Sequence, residues 1–331
     1  MLLVLLAPAA TSAEAPSGAD TSAAKRTAGA PVSRASLPIT FSIGADGGVL
    51  WGLARELVYV GSYKLSELDY PLQPMAYAGA RVELGAFGGL DASLRFRGGI
   101  PAWTGSMTDS DYENFDGVKT HFSQSDSYLE RSVFVNARLG WRFAPSPAIV
   151  IEPFAAYIYL DIKWSAQNGY YQYPPETSPP YTPWSPSEPK VPLSGVVLTY
   201  EQTFMIPAVG IRVIGRVSRT LSLDASVALS PFAALNDVDE HPLRYLAFYD
   251  SMAGGFYIEP ELAVSWQVAR DLELSVRLSY LSISEPNNGT TVVVDTNPND
   301  ATYGVPTLLT SQYSGATMSA FGAEVGGRLK L

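Results

Sequence analysis

The sequence predicts an all-β chain, a transmembrane antiparallel up-and-down β-barrel of about ten strands that extends above the membrane. Three observations point there. Charged residues make up 16% of the chain against 47% hydrophobic ones, well below the roughly 25% charge of an average soluble protein. From about residue 39 onward, apolar and polar residues alternate with period two in long runs, the signature of strands with two unlike faces. Short turns alternate with long polar connections, as in barrels whose two rims face different compartments.

Taken in order, the opening MLLVLLAPAATSAEA reads as a secretory signal over residues 1–13, with an apolar core and small residues near Ala13 but no positive n-region. Residues 14–38, rich in Ala, Ser, Pro and Gly, read as an unstructured lead-in, and 39–331 as the barrel. Nothing after the N-terminus approaches the roughly 20 apolar residues of a membrane-spanning helix. The chain contains no cysteine, which removes disulfides, zinc-thiolate sites and thiol nucleophiles. A net charge of −10 argues against a nucleic-acid partner and suits a cationic one, although acidity also serves solubility.

Within the barrel segment, Val133, Val135, Ala137, Leu139 and Trp141 alternate with Asn136, Arg138 and Arg142. Leu221, Leu223, Ala225, Val227 and Leu229 alternate with Ser222, Asp224, Ser226 and Ser230, and Leu272, Leu274, Val276 and Leu278 with Glu273, Ser275 and Arg277. One row suits lipid, the other a polar bore. Short turns fall near 88–89, 144–146, 216–219 and 269–271, and long polar connections at 169–192 and about 284–309. The runs between turns exceed the roughly 9–11 residues needed to cross a bilayer, so the strands should rise beyond the lipid on the long-loop side. The final SAFGAEVGGRLKL is placed to close the ring against the first strand. A soluble β-sandwich is the plain alternative.

Two acidic runs stand out. In NDVDEH (236–241), Asp237, Asp239 and His241 share a strand face while Val238 and Glu240 point away; in GSMTDSDY (105–112), Asp109 and Asp111 share a face. Asp109 and Asp239 each lie about 20 residues above a short turn, and Glu56 nearly as high, which puts all of them about 45 Å up at one rim. Carboxylates so crowded raise one another's pKa, a condition met mainly at functional sites. Taken singly, such runs are more often solvated loop tips or casual cation sites. His121, the other histidine of the chain, reads first as a loop residue.

The blocks RELVY (55–59), SELDY (66–70), MTDSDY (107–112) and DVDEH (237–241), in that order, resemble the omptin family of outer-membrane endopeptidases over most of the chain from residue 39. The resemblance implies a catalytic Asp239–His241 dyad facing an Asp109/Asp111 pair, with Glu56 and Asp237 flooring a pocket for a basic side chain. It implies a water nucleophile, cleavage at basic residues and most simply between two, cationic peptide or protein substrates, a monomer, and a site facing outside the cell. No metal and no cofactor are expected. The family also resembles lipopolysaccharide-binding proteins; the matching stretches YIYLDIKW (157–164) and TYEQTF (199–204) keep Tyr157 but carry Asp161 and Thr203 where arginines are expected, so a lipopolysaccharide requirement is left open, with Lys163 or Arg212 as substitutes. Trp141, Trp164 and Tyr280 read as interfacial belt residues. The competing functions are a non-enzymatic adhesin or receptor using its long loops, a narrow pore, and metal-dependent hydrolysis by Asp and His.

Overall fold

The structure is a computed structural model that describes residues 39–284 and 288–331; the expected signal and lead-in lie outside the described residues. Fourteen strands build ten walls. In chain order they are β1 (Thr40–Val60), β2 (Tyr63–Ala86), β3 (Leu90–Gly99), β4 (Ala102–Asp111), β5 (His121–Trp141), β6 (Phe143–Ser146), β7 (Ile149–Gln172), β8 (Val191–Pro192), β9 (Val196–Arg216), β10 (Leu221–His241), β11 (Leu246–Gln267), β12 (Leu272–Ser284), β13 (Gly289–Asp295) and β14 (Pro306–Lys330). β3 and β4 stand end to end between β2 and β5. β12 and β13 do the same between β11 and β14. β14 pairs with β1 from Ser42↔Lys330 to Val60↔Gln312, so among the described residues every long strand has two neighbours and no edge is left open.

The alternation sorts as its chemistry requires. Leu223, Leu229, Leu262, Val264, Leu274, Val276, Phe321 and Val325 are exposed on the outer wall of the lower half, whereas Asp46, Arg97, Asp224, Glu261 and Glu324 are buried in the bore. Trp141 is 43% exposed, as a belt residue should be, but Trp164 is 0% exposed inside the bore and does not belong to the belt. Its even number settles this, since β7 turns Phe154, Ile158, Leu160 and Ile162 inward with it. Two further expectations shift. β7 runs to Gln172 before the Pro/Tyr-rich connection begins, and the 284–309 connection contains β13, which continues the β12 wall upward between β11 and β14.

Parity does not run unbroken from rim to rim. In β10, Asp224, Ala228 and Ser230 face inward below a register shift at Ser230–Ala233, and Ala233, Leu235, Asp237 and Asp239 face inward above it. Pro231 has no N–H to give to a ladder, and Ser230 Oγ accepts the Phe232 N–H at 3.0 Å, so the extra residue of this bulge is stabilised locally. A similar shift at Gln73–Pro74 switches β2 from Met75 and Tyr77 inward to Leu72, Tyr70 and Leu68 inward. The sheet can therefore offer lipid a row of leucines below and the bore a row of acids above within one strand.

Across the upper bore, the wholly buried rings of Tyr70, Trp164 and Tyr200 pile against one another, Tyr70 and Tyr200 with centroids 4.8 Å apart and Tyr70 and Trp164 5.4 Å apart. Gln202 Nε2 donates to the Arg55 carbonyl at 3.2 Å, bracing β9 against β1 from the far side. Below this layer the bore is filled by ion pairs. Arg95 meets Glu324 and Glu261, Arg277 meets Glu261 at 2.9 Å, Arg212 meets Asp224 at 2.5 Å, and Arg142 meets Asp91 at 2.8 Å. Above it lies the rim that carries the acidic runs.

Candidate active site

The β10 bulge brings Asp237 and Asp239 to the inner wall, both at most 3% exposed, with His241 after them. Glu240 faces the other way, where its Oε2 accepts the Thr199 hydroxyl at 2.7 Å. His241 Nε2 lies 2.5 Å from Asp239 Oδ2. With Nε2–H donating to that carboxylate, Nδ1 keeps the lone pair that a base needs. The edge of the imidazole meets Phe248 on the next strand at 5.5 Å between centroids, which limits how the ring can turn.

Asp109 and Asp111 come from β4, where they pair across the ladder with Leu68 and Ser66 on one side and with Ser123 and His121 on the other. Ser66 Oγ donates to Asp109 Oδ1 at 3.2 Å. Leu68 pairs in turn with Glu56 of β1, so Glu56 and Asp109 stand at one register two walls apart. Asp109 and His241 line a single cavity of about 160 Å³. The expected residues are thus brought to one place by three separate stretches of chain.

One acid was missed. Asp250 on β11 is buried and lies directly opposite Asp237 in the β10–β11 ladder. The signal was present in the turn: Arg244 N–H donates to the His241 carbonyl at 3.0 Å and Tyr245 takes φ 56°, so HPLRY closes a tight outer hairpin whose register places Asp250 opposite Asp237. Pro242 is ordinary turn chemistry, whereas Tyr245 takes the left-handed conformation although a bulky residue rarely does.

The electrostatics follow from crowding. Burial first, then the charges of Asp239, Asp237, Asp250 and Asp109, pushes the Glu56 carboxyl well above its usual range. Burial and the neighbouring Asp250 do the same to Asp237, and burial together with Asp111 to Asp109. Burial also raises Asp111, against a hydrogen bond from Ser66. Four buried carboxylate oxygens here, Glu56 Oε2, Asp237 Oδ1, Asp239 Oδ1 and Asp250 Oδ1, have no hydrogen-bond donor. Buried acceptors are normally satisfied, and a group of unsatisfied anions is a receptor for donors, above all for a cation. Arg244 is the cation facing the Asp109/Asp111 pair. Burial alone would lower its pKa, but Tyr173, Asp109 and Asp111 raise it overall. Burial and Asp109 lift the Tyr173 phenol to about 12.

His121 is no free loop residue. It starts β5 opposite Asp111, its Nδ1 is 2.9 Å from Thr120 Oγ1, and its ring is held edge-on by Tyr173 and Tyr181 at 4.8 and 4.9 Å. Tyr181 belongs to the Pro/Tyr-rich connection, which is tied down: the Asn114 side-chain amide donates to the Tyr181 carbonyl and accepts its N–H, both at 2.8 Å, and Trp184 N–H donates to Lys119 O at 2.8 Å. Asp111, Glu113 and His121 also bring one ligand atom each to within 4.8 Å of one another, a spacing in which a divalent metal would fit as an intruder on Asp111.

On the outer wall, Arg131 of β5 bridges Asp161 at 2.7 Å and Glu201 at 2.8 Å, with Lys163 3.9 Å from Glu201. Arg212 is not part of this surface. It is turned into the bore against Asp224 and Glu152, because its even number on β9 matches the inward row of Tyr200, Gln202 and Phe204.

The omptin family profile matches residues 37–320. The chain belongs to the omptin family. It is similar to the plasminogen activator of Yersinia pestis, 23% identical over 269 residues that cover 80% of this chain and 82% of that one. Its fold is similar to that of the outer membrane protease OmpT from Escherichia coli, with a TM-score of 0.78 and 17% identity over 88% of this chain and 97% of the other. Membership makes this omptin an outer-membrane barrel of a protease family with its acidic rim on the extracellular side.

Proposed function

We propose that this omptin is an endopeptidase that cuts peptides and proteins beside a basic residue, using water activated by the Asp239–His241 dyad opposite Asp109 and Asp111. The observation that carries it is the set of four buried carboxylate oxygens without a donor, placed beside an imidazole bonded to Asp239. Glu56 and Asp237 receive the guanidinium or ammonium group, which supplies the missing donors and draws off the protons that crowding holds there. Asp250 adds its charge behind Asp237.

A water held between Asp109 and His241 gives a proton to Nδ1 as its oxygen attacks the peptide carbonyl. Asp239 steadies the imidazolium that forms. The same proton then passes to the leaving nitrogen as the C–N bond breaks, so the immediate products are a carboxylic acid and an amine, the acid proton then passing to the amine to give carboxylate and ammonium, and no acyl-enzyme arises. Asp109 and Asp111 titrate as a pair. Their role is to orient the water.

The test is a folded, detergent-solubilised barrel incubated with arginine-containing and arginine-free peptides of otherwise equal sequence, with products read by mass spectrometry. Cleavage beside arginine that persists in a strong chelator is expected. Absence of any cleavage by barrels shown to be folded would refute the enzyme, and loss of activity on chelation would move the chemistry to a metal at Asp111, Glu113 and His121.

A further inference from the structure

The cavity shared by Asp109 and His241 is not floored by Glu56 or Asp237. Its other walls are Met107, Tyr171, Tyr173, Leu193, Val197, Leu198 and Leu243, with Ser123, and Arg244 also lines it. The two residues assigned to the reacting water are therefore flanked by two receptors of opposite chemistry. One side offers unsatisfied carboxylates; the other offers apolar side chains and a fixed positive charge.

We infer that the second subsite takes an apolar, branched or aromatic side chain, so that the preferred scissile bond joins one basic residue to one apolar residue rather than two basic ones. The inference rests on the reading of Glu56 and Asp237 as the basic-residue subsite and specifies its partner across the cut. Size agrees with it: about 160 Å³ is close to the roughly 150 Å³ of an apolar cavity that admits benzene. Chemistry agrees as well. A lysine or arginine entering there would exchange water for methylene and ring surface, with Asp109 the one acid in the lining, and both Asp109 and its neighbour Asp111 already face Arg244. A cation in an apolar cleft beside another cation is doubly disfavoured.

Arg244 is held in place for this role. The turn that ends β10 fixes its backbone through the bond from its N–H to the His241 carbonyl, at 3.0 Å. The opposite wall is equally anchored, since Gln172, next to Tyr171 and Tyr173, donates to the Glu188 carbonyl at 2.6 Å. The subsite is built from parts that do not need to move.

The experiment uses the full barrel and peptides with one variable junction, Arg–Leu, Arg–Val, Arg–Arg, Arg–Lys and Gln–Leu, each also in reversed order, with kcat/KM measured for each. Junctions of arginine with leucine or valine, in one of the two orders, should exceed Arg–Arg by about tenfold or more. In Arg244→Glu the Arg–Arg and Arg–Lys junctions should gain on Arg–Leu, reversing or closing the gap; a variant that does not fold is replaced by Arg244→Gln, which should narrow it. Equal or better cutting of Arg–Arg by the unmodified protein would overturn the apolar subsite and leave the basic one standing. Cutting of Gln–Leu as fast as Arg–Leu would remove the basic floor while supporting the apolar subsite, and failure to cut any peptide would overturn both.

Discussion

The lower bore and the upper rim are both crowded with buried charge, yet they are assembled on opposite terms. Below the aromatic layer most buried acids have a guanidinium at hand: Glu261 meets Arg95 and Arg277, Glu324 meets Arg95 and Arg97, and Asp224 meets Arg212, while Glu259 accepts the Tyr257 hydroxyl at 2.6 Å. Above it, Glu56, Asp109, Asp111, Asp237, Asp239 and Asp250 outnumber the basic groups beside them, Arg244 facing the Asp109/Asp111 pair, His241 at Asp239 and His121 opposite Asp111. Paired charge fills and fixes a cylinder that lacks an apolar core there. Unpaired charge stores an unmet demand for a cation, which on the proposed function a basic substrate side chain satisfies.

The comparison can be broken or sharpened by substitution. The largest effect is expected from His241→Ala, which should lower kcat by about 10³-fold or more while heat-modified migration of the folded barrel is unchanged; activity within tenfold of the parent would remove His241 as base. Next, Glu56→Gln should raise KM for an arginine peptide with a much smaller change in kcat, lowering kcat/KM by about 10- to 100-fold. In the lower bore, Glu324→Gln leaves Arg95 and Arg97 short of a partner and should cost about 3–5 kcal/mol in urea unfolding, with the turnover of the folded fraction intact.

A pH series separates the two regions further. Glu56 and Asp237 have folded pKa values raised above their unfolded ones, so the folded state holds extra protons between those limits. Their contribution to stability is greatest on the acid side and is lost as the pH rises through the raised values. The thermal midpoint should therefore fall from about pH 5 to about pH 8, and Glu56→Gln should flatten that slope. Activity should run the other way over the acid range, since protonated floor acids bind a cation less well. A slope unchanged by Glu56→Gln would show that the rim does not carry stored repulsion. The smallest effect is expected at the outer wall, where Arg131 is already neutralised by Asp161 and Glu201: Arg131→Gln should change the cleavage rate, measured with and without added lipopolysaccharide, by less than about twofold.

Much of this was legible without coordinates. Period two, turn spacing and the level of Asp109 and Asp239 above their turns suffice because a strand advances by a nearly constant step. The bulges were not legible by counting. Leu223 to Leu229 and Asp237 to His241 carry the same odd parity, yet one row meets lipid and the other the cleft, and only the extra residue at Ser230–Ala233 reconciles them. Pro231 and Pro74 marked both shifts in the sequence. Asp250 escaped because no other acid lies near it in the sequence, and it joins the acidic cluster only through the register of the outer hairpin. Trp164 and Arg212 were misplaced for a related reason: residue type suggested a surface, whereas parity along β7 and β9 assigns them to the bore.

The layer of Tyr70, Trp164 and Tyr200, braced by Gln202, has a consequence for the cell that carries this protein. Together with the ion pairs that fill the bore beneath it, it leaves ions no open path through the described barrel, so that each copy need not weaken the envelope as a permeability barrier. Stacked rings stop the lumen like a cork, so surface copy number can rise with the need for proteolysis without the envelope becoming leaky.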